Sequence, residues 1–324
     1  MNAPKHMRGV WLQNQTIQVR DNLDVPRPQD NEALIKVLLA GICGTDVQLR
    51  RGYYPFSGIP GHEFVGEVVS APGAQHLIGK RVVGEINIGC GHCAMCAAGL
   101  HKHCSQRQVL GIKNRDGAFA QYLNLPVANL HEVPESLPDD KAVFAEPIAA
   151  AARILEQVNI GTEHKVIVIG AGRLGLLIAQ VIKTTACQLQ VITRHDRQRQ
   201  ILNQFDIPAM DEQHIPTQEA DIVIEASGSP GGLQAAINAV KPTGTVVLKS
   251  TYAGETQLNF SRMVVNEINI VGSRCGRFEP ALSLLQENTV DPTPLITSRF
   301  ALSDAQRAFD MAASPGSLKV LFQP

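Results

Sequence analysis

The sequence predicts an α/β protein in two parts, a doubly wound parallel sheet and a β-rich domain. Three observations carry the prediction. From about residue 147, short apolar runs alternate with stretches of helical spacing. Before about residue 145, strand-like runs follow one another with Gly and Pro between them. At residues 170–175 a G-x-G-x-x-G pattern closes an apolar run and opens a helical one.

The elements follow in chain order. "EALIKVLLA" (32–40), "EFVGEVVS" (63–70) and "KRVVGEIN" (80–87) read as strands of the β-rich part. "KVIVIG" (165–170) ends in Gly, as a strand buried on both faces does. "RLGLLIAQVIK" (173–183) has helical spacing. "LQVITR" (189–194) and "ADIVIEAS" (220–227) are the next strands, and "PGGLQAAINAV" (230–240) is a helix. "GTVVLKS" (244–250) and "EINIVGS" (267–273) are further strands. Strands alternating with helices imply parallel pairing. Two helical stretches and a last strand, "LKVLF" (318–322), follow residue 275. There is no internal repeat and no low-complexity tract.

Composition narrows the function classes. Of 324 residues, 44% are hydrophobic and 18% charged, and 29 Lys and Arg balance 30 Asp and Glu. That is a globular composition with enough chain for sizeable cores. No basic stripe suits nucleic acid or an anionic membrane. No run of about 18 apolar residues suits a membrane span, and the N-terminus lacks a signal peptide's apolar stretch. A cytoplasmic location is expected. In a reducing compartment, clustered cysteines favour metal ligation over disulfides.

The G-x-G-x-x-G stands where a dinucleotide site needs it. Gly170 permits the tight turn, Gly172 lets a pyrophosphate approach the backbone, and Gly175 lets helix and strand pack closely. The helix N-terminus faces the phosphates. Arg173 and Leu174 lie within this loop, and Ser227 ends the third strand of the part; all three join the expected cofactor contacts. The second strand ends "VITRHDRQR". An NAD site has Asp or Glu there, whereas this chain has Thr193 and Arg194, with Arg197 and Arg199 after them. Asp196 comes two residues too late. A hydroxyl and a guanidinium suit a 2′-phosphate, so NADP is expected, with NAD as the alternative.

Four of the seven cysteines lie in "CGHCAMCAAGLHKHC" (90–104). The spacing Cys90-x2-Cys93-x2-Cys96-x7-Cys104 suits a tetrahedral zinc. A ferredoxin run has a shorter last gap and a Pro after its fourth Cys, where this chain has Ser105. Four sulfurs close the coordination shell, which marks a structural site. His92, His101 and His103 are spare and read as exposed loop residues.

Elsewhere lie "AGICGTDVQLRRGYYPF" (40–56), "IPGHEFVGEVV" (59–69) and "AEPIAAAARIL" (145–155). Taken alone, Cys43 reads as a small buried hydrophobe, His62-Glu63 as a surface pair, and Glu146 as an acid capping a helix that has Pro147 at its start. Together and in order, "GICGTD", "GHEFVGEV", "GCGHCAMCAAGLHKHC", "GAFAQY" (117–122), "AEPIAAA" and "GAGRLG" resemble the zinc-dependent medium-chain dehydrogenase/reductase family. The likeness spans nearly the whole chain.

The resemblance implies a GroES-like catalytic domain over 1–147, a Rossmann domain over 148–275 and a return to the catalytic domain over 276–324. It implies two zinc ions per chain, one structural and one catalytic. Cys43 and His62 match catalytic-zinc ligands, Glu146 the third ligand, and Glu63 a neighbouring acid that is a ligand in some members. Thr45 matches the hydroxyl that binds the substrate oxygen. Many members have His two residues after the Asp of "GTD"; this chain has Gln48, which cannot shuttle a proton by titration. Ser273 and Arg274, in "INIVGSRCGRF" (268–278), are expected near the cofactor. Tyr53, Tyr54 and Phe56 read either as cleft walls or as a surface loop, and Arg50 or Arg51 as a contact for an anionic substrate.

The implied activity is hydride transfer between NADP(H) and an alcohol, polyol or carbonyl, with no nucleic-acid or membrane partner and a homodimer or homotetramer as the assembly. A biosynthetic carbonyl reductase is the alternative enzyme. A non-catalytic nucleotide-sensing relative would require a broken metal site, and Cys43, His62, Glu63 and Glu146 are all present.

Overall fold

A computed structural model describes residues 3–251 and 258–324. It divides into two compact units. The first holds residues 1–146, 281–286 and 296–324; the second holds 147–280 and 287–295.

The first unit begins with β1 (His6–Gln13) and β2 (Thr16–Asp24), an antiparallel hairpin turning through Asn14 and Gln15 at positive φ. β3 (Glu32–Ile42) leads into α1 (Gly44–Arg50). β4 (Ser57–Gly58), β5 (Glu63–Ser70), β6 (Arg81–Gly84) and β7 (Asn87–Ile88) follow. After α2 (Ala94–Ala97) come β8 (Gln108–Val109), β9 (Tyr122–Pro126), β10 (Leu130–Glu132) and α3 (Asp139–Ala142). β3 is central. It pairs antiparallel with β5, with β9 and with the last strand of the chain. Its burial on nearly every residue explains its continuous apolar run, because both faces are covered.

α4 (Ala145–Gln157) opens the path into the second unit. There β11 (Lys165–Ile169), α5 (Arg173–Lys183), β12 (Gln188–Ile192), α6 (Asp196–Gln204), β13 (Ala209–Met210), β14 (Ala220–Glu225), α7 (Pro230–Ala239), β15 (Val240–Leu248), α8 (Phe260–Val265) and β16 (Asn269–Gly272) alternate. The strands form one parallel sheet in the order β13-β12-β11-β14-β15-β16. That is the doubly wound order, and it reverses between β11 and β14. Pro230 at the start of α7 is the helix-opening use of proline.

α9 (Phe278–Gln286), β17 (Ile296–Ala301), α10 (Ala305–Ala313) and β18 (Lys319–Gln323) complete the chain. β18 lies between β3 and β17 in the large sheet, parallel to β17. Phe119, Phe309 and Phe322 meet fully buried in the first unit's core. Residues 276–280 and 287–295 group with the second unit, although the sequence reading sends the whole of 276–324 to the first. The side chain of Gln180 accepts from the Asp291 amide, and Gly276 packs on the Ala149 backbone; those contacts hold the two segments there. Among the described residues no helix is long and apolar enough to cross a membrane.

Candidate active site

Cys43 directly follows β3 and is the N-cap of α1. Its amide donates to Asp46 Oδ2 at 2.8 Å, so Asp46 caps the helix from its third position. Asp46 is fully buried, and its other oxygen lies 3.3 Å from His62 Nδ1. One carboxylate thus fixes the backbone of Cys43 by a hydrogen bond and stands beside the ring of His62 as an ion-pair neighbour, its Oδ1 and the ring Nδ1 making no hydrogen bond. An acid on the Nδ1 side leaves Nε2 as the ring atom for a metal. Burial disfavours the charged ring of His62, but Asp46 and the Cys43 sulfur outweigh it and hold His62 well above its ordinary value. Thr45 Oγ1 lies 3.9 Å from Cys43 Sγ.

The approach of His62 is set by close backbone packing. Gly61 has φ +99°, and a Cβ there would run into the Phe119 ring. Gly111 and Gly117 press on the Gly61 carbonyl, where a Cβ on either would collide. Ala118 N donates to Gly61 O at 2.9 Å and Phe119 N to Pro60 O at 3.0 Å. His62 therefore enters β5 from a segment clamped on both sides.

Glu63 faces another way. Its carboxylate is paired with Lys319 of β18, and both side chains are buried. The Lys319 ammonium also lies 5.2 Å from the Phe144 ring centre. The sequence reading places Glu63 with the metal residues; here its charge is committed to Lys319. Glu146 stands in the first turn of α4, half-buried. Pro147 is the third residue of that helix rather than its first. Arg50, read as a contact for an anionic substrate, is bound to Asp310 at 2.8 Å, while Arg51 is exposed. Tyr54 is half-buried, and burial pushes its phenol up. It lines a cavity of about 260 Å³ with Phe56, Lys113 and Asp116.

Among the described residues, one group of three or more His, Cys, Asp or Glu side chains gathers tightly enough to hold a metal: Cys90, Cys93, Cys96 and Cys104, their sulfurs within 4.8 Å of one another. Cys90 Sγ and Cys96 Sγ are 4.0 Å apart. A tetrahedral zinc with bonds of about 2.3 Å separates its sulfurs by about 3.8 Å, so the lobe fits. Burial and the neighbouring sulfurs push the Cys96 thiol up to about 11, as expected for thiols crowded without a cation. The cysteines are free of disulfides. His92, His101 and His103 are exposed on the same loop; His92 Nδ1 contacts the Cys90 carbonyl at 2.9 Å. Cys43 and His62 supply two further donors of the kind zinc takes, both adjacent to the buried Asp46 carboxylate.

In the second unit the glycines stand as a dinucleotide requires. Gly170 has φ +101° and lies against Ala226 and Ser227. Gly172 caps α5 with open space where a Cβ would be, leaving room for phosphates at the helix N-terminus. Gly175 packs on the Gly170 carbonyl. Arg173 and Leu174 are half-buried in the first turn of α5. Ser227 donates from its amide and its hydroxyl to Glu225 at 2.8 and 2.6 Å. Past β12, Thr193 is buried and Arg194 exposed. Arg199 is not available to a ligand, because it binds the Thr193 carbonyl and Asp211. Ser273 is buried and Arg274 exposed just past β16.

Residues 29–135 match the alcohol dehydrogenase GroES-like domain, and residues 139–323 match the glucose dehydrogenase C-terminus. The chain belongs to the zinc-dependent medium-chain dehydrogenase/reductase family. It is 32% identical to a sorbitol dehydrogenase of Halalkalibacterium halodurans, over 92% of this chain and 93% of that one. It is 31% identical to an L-threonine 3-dehydrogenase of Shewanella frigidimarina, over 98% and 97%. Among solved structures, a candidate zinc-binding dehydrogenase from Sinorhizobium meliloti bound to NADP superposes with TM-score 0.92 at 28% identity, over 99% of this chain and all of that one. An alcohol dehydrogenase from Escherichia coli complexed with NADH also reaches 0.92, at 26% identity, with 99% and 100% covered. This dehydrogenase is a zinc-dependent, NAD(P)-dependent oxidoreductase.

Three residues of this dehydrogenase escape the sequence reading. Asp46 carries a local signal, an acid three residues after an N-cap. Lys319 carries none, since 256 residues separate it from Glu63. Lys249 is buried at the end of β15, and nothing in "VVLKS" marks it.

Proposed function

We propose that this dehydrogenase moves hydride between NADP(H) and a polyol- or sugar-like alcohol or its carbonyl, with Cys43, His62 and Glu146 as the ligands of its catalytic zinc. The carrying observation is the buried Asp46 carboxylate, which binds the Cys43 amide and lies 3.3 Å from His62 Nδ1, bringing the two together. Thr45 hydrogen-bonds the substrate oxygen. Glu63, held by Lys319, shapes the charge behind the ligands without occupying a coordination position. The bound zinc supplies Lewis acidity and the nicotinamide supplies or accepts the hydride. The cysteine lobe holds the structural zinc. Polyol-like substrates are favoured by the sorbitol dehydrogenase relative and by the glutamate at position 146.

Preference for NADP rests on Thr193 and Arg194 beyond β12, where no carboxylate stands for the ribose 2′-hydroxyl. Gly170, Gly172, Arg173, Leu174 and Gly175 line the pyrophosphate, with Ser227, Ser273 and Arg274 toward the nicotinamide end. The assembly is a homodimer, or a tetramer built from it, joined along β16. Among the described residues that strand has one neighbour, and Phe260, Val264, Val265 and Ile270 are exposed. An unpaired apolar edge of this kind calls for a partner strand.

A panel of alcohols, polyols and aldehydes, followed at NADPH absorbance with NADH in parallel, tests the reading. Turnover of polyols with NADP in preference to NAD is expected. Turnover with simple alcohols and NAD alone would refute both choices.

A further inference from the structure

Lys249 sits one residue past β15, at the carboxyl edge of the parallel sheet, and is 9% exposed. Its ammonium reaches Ala150 O at 2.7 Å, Arg274 O at 2.9 Å and Ser273 Oγ at 3.2 Å. The two carbonyls can only accept, and an ammonium offers three donors in all. The backbone is tied in as well. Lys249 N donates to Glu225 O, and Ser273 N donates to Leu248 O. One side chain therefore joins the ends of β15 and β16 to the α4 segment, inside the second unit.

The position of this staple in the sheet gives it meaning. A doubly wound sheet takes its dinucleotide across the carboxyl edge, with the adenosine half over the first mononucleotide-binding half and the nicotinamide half over the other. The glycine loop after β11 and the Thr193–Arg194 corner after β12 belong to the adenosine side. The ends of β14, β15 and β16 belong to the other side. Lys249 holds the backbone of that edge, Ser273 and Arg274 included.

We propose that Lys249 is a positioning residue for the nicotinamide half of the cofactor: its buried ammonium fixes the 273–274 segment and so sets the affinity for the complete dinucleotide but not for the adenosine half. The proposal rests on the dinucleotide site described above. Replacing Lys249 with Met keeps the apolar stem, removes all three bonds and leaves the Ala150 and Arg274 carbonyls without this donor.

Titration of wild type and Lys249→Met with NADPH and with 2′-phospho-ADP-ribose, which lacks the nicotinamide, tests it; NADH and ADP-ribose form the parallel pair. The expected result is a loss of about tenfold or more for the dinucleotides, the scale of a lost charge-assisted hydrogen bond, with the fragments unchanged. Lys249→Arg, which keeps charge and donors, restores part of the loss. Ser273→Ala, which removes one acceptor, gives a smaller loss of the same pattern, and it carries the test should Lys249→Met fail to fold. Equal weakening of dinucleotide and fragment would make Lys249 merely structural and overturn the proposal, as would unchanged dinucleotide binding. Failure of the wild-type chain to bind any of the four probes would refute the nucleotide site itself, and the proposal with it.

Discussion

Asp46 occupies the third position of a seven-residue helix and acts in two directions. It accepts from the Cys43 amide and faces His62 Nδ1, so both candidate ligands depend on it. Asp46→Asn keeps the size but weakens the hold on the ring. Removing such an outer partner costs about 10- to 100-fold in metal affinity. After dialysis against a mild chelator, Asp46→Asn should lose the more labile of its two zincs and its turnover together, measured by metal analysis and by rate. Lys319 gives a second prediction at this scale. Lys319→Met leaves Glu63 buried without its cation and should destabilise the first unit by about 3–5 kcal/mol. Adding Glu63→Gln should recover most of that, because the double variant buries no lone charge. Denaturant unfolding of the wild type, both single variants and the double variant measures the coupling.

At the scale of elements, the cysteine lobe is a short loop with little secondary structure, formed by α2 and its flanks. Its order depends on what the four sulfurs hold. Cys93→Ser should lower the melting temperature and free about one zinc per chain, while Cys43 and His62 stay in place. The lobe and the glycine loop are legible in the sequence because their spacing is local and their chemistry is narrow. β3, β5, β11 and α5 are legible because burial sets their period. α1 is not, since it is short and capped by Cys43 rather than by Ser, Thr, Asp or Asn. β17 is missed because "ITSRFA" mixes half-buried and exposed residues without strict alternation. The Glu63–Lys319 pair is invisible because a buried ion pair between distant strands leaves no trace in either strand's pattern. Glu63 therefore reads in sequence as one more metal-side acid.

For the whole molecule, the family sets the reaction type and this chain's own corners set its particulars. Arg194 is exposed past β12, and the nearby Arg199 is already bound to Asp211. Arg194→Ala should raise the NADPH dissociation constant by about tenfold, equal to about 1.4 kcal/mol, and leave NADH nearly unchanged. The apolar edge at β16 is the surface we propose for assembly. Val265→Asp, on a side chain 80% exposed, should convert a dimer to monomers in light scattering and leave the fold intact. These two surfaces lie in the second unit, and the candidate ligands Cys43 and His62 lie in the first. The central claim is a division of labour within the first unit: Cys43 and His62 carry the reacting metal, and the cysteine lobe only holds the chain together. The zinc content of folded Cys43→Ser tests it most directly. About two zincs per chain are expected in the wild type and about one in the variant, with turnover gone. A folded Cys43→Ser that keeps both zincs and its activity would contradict it.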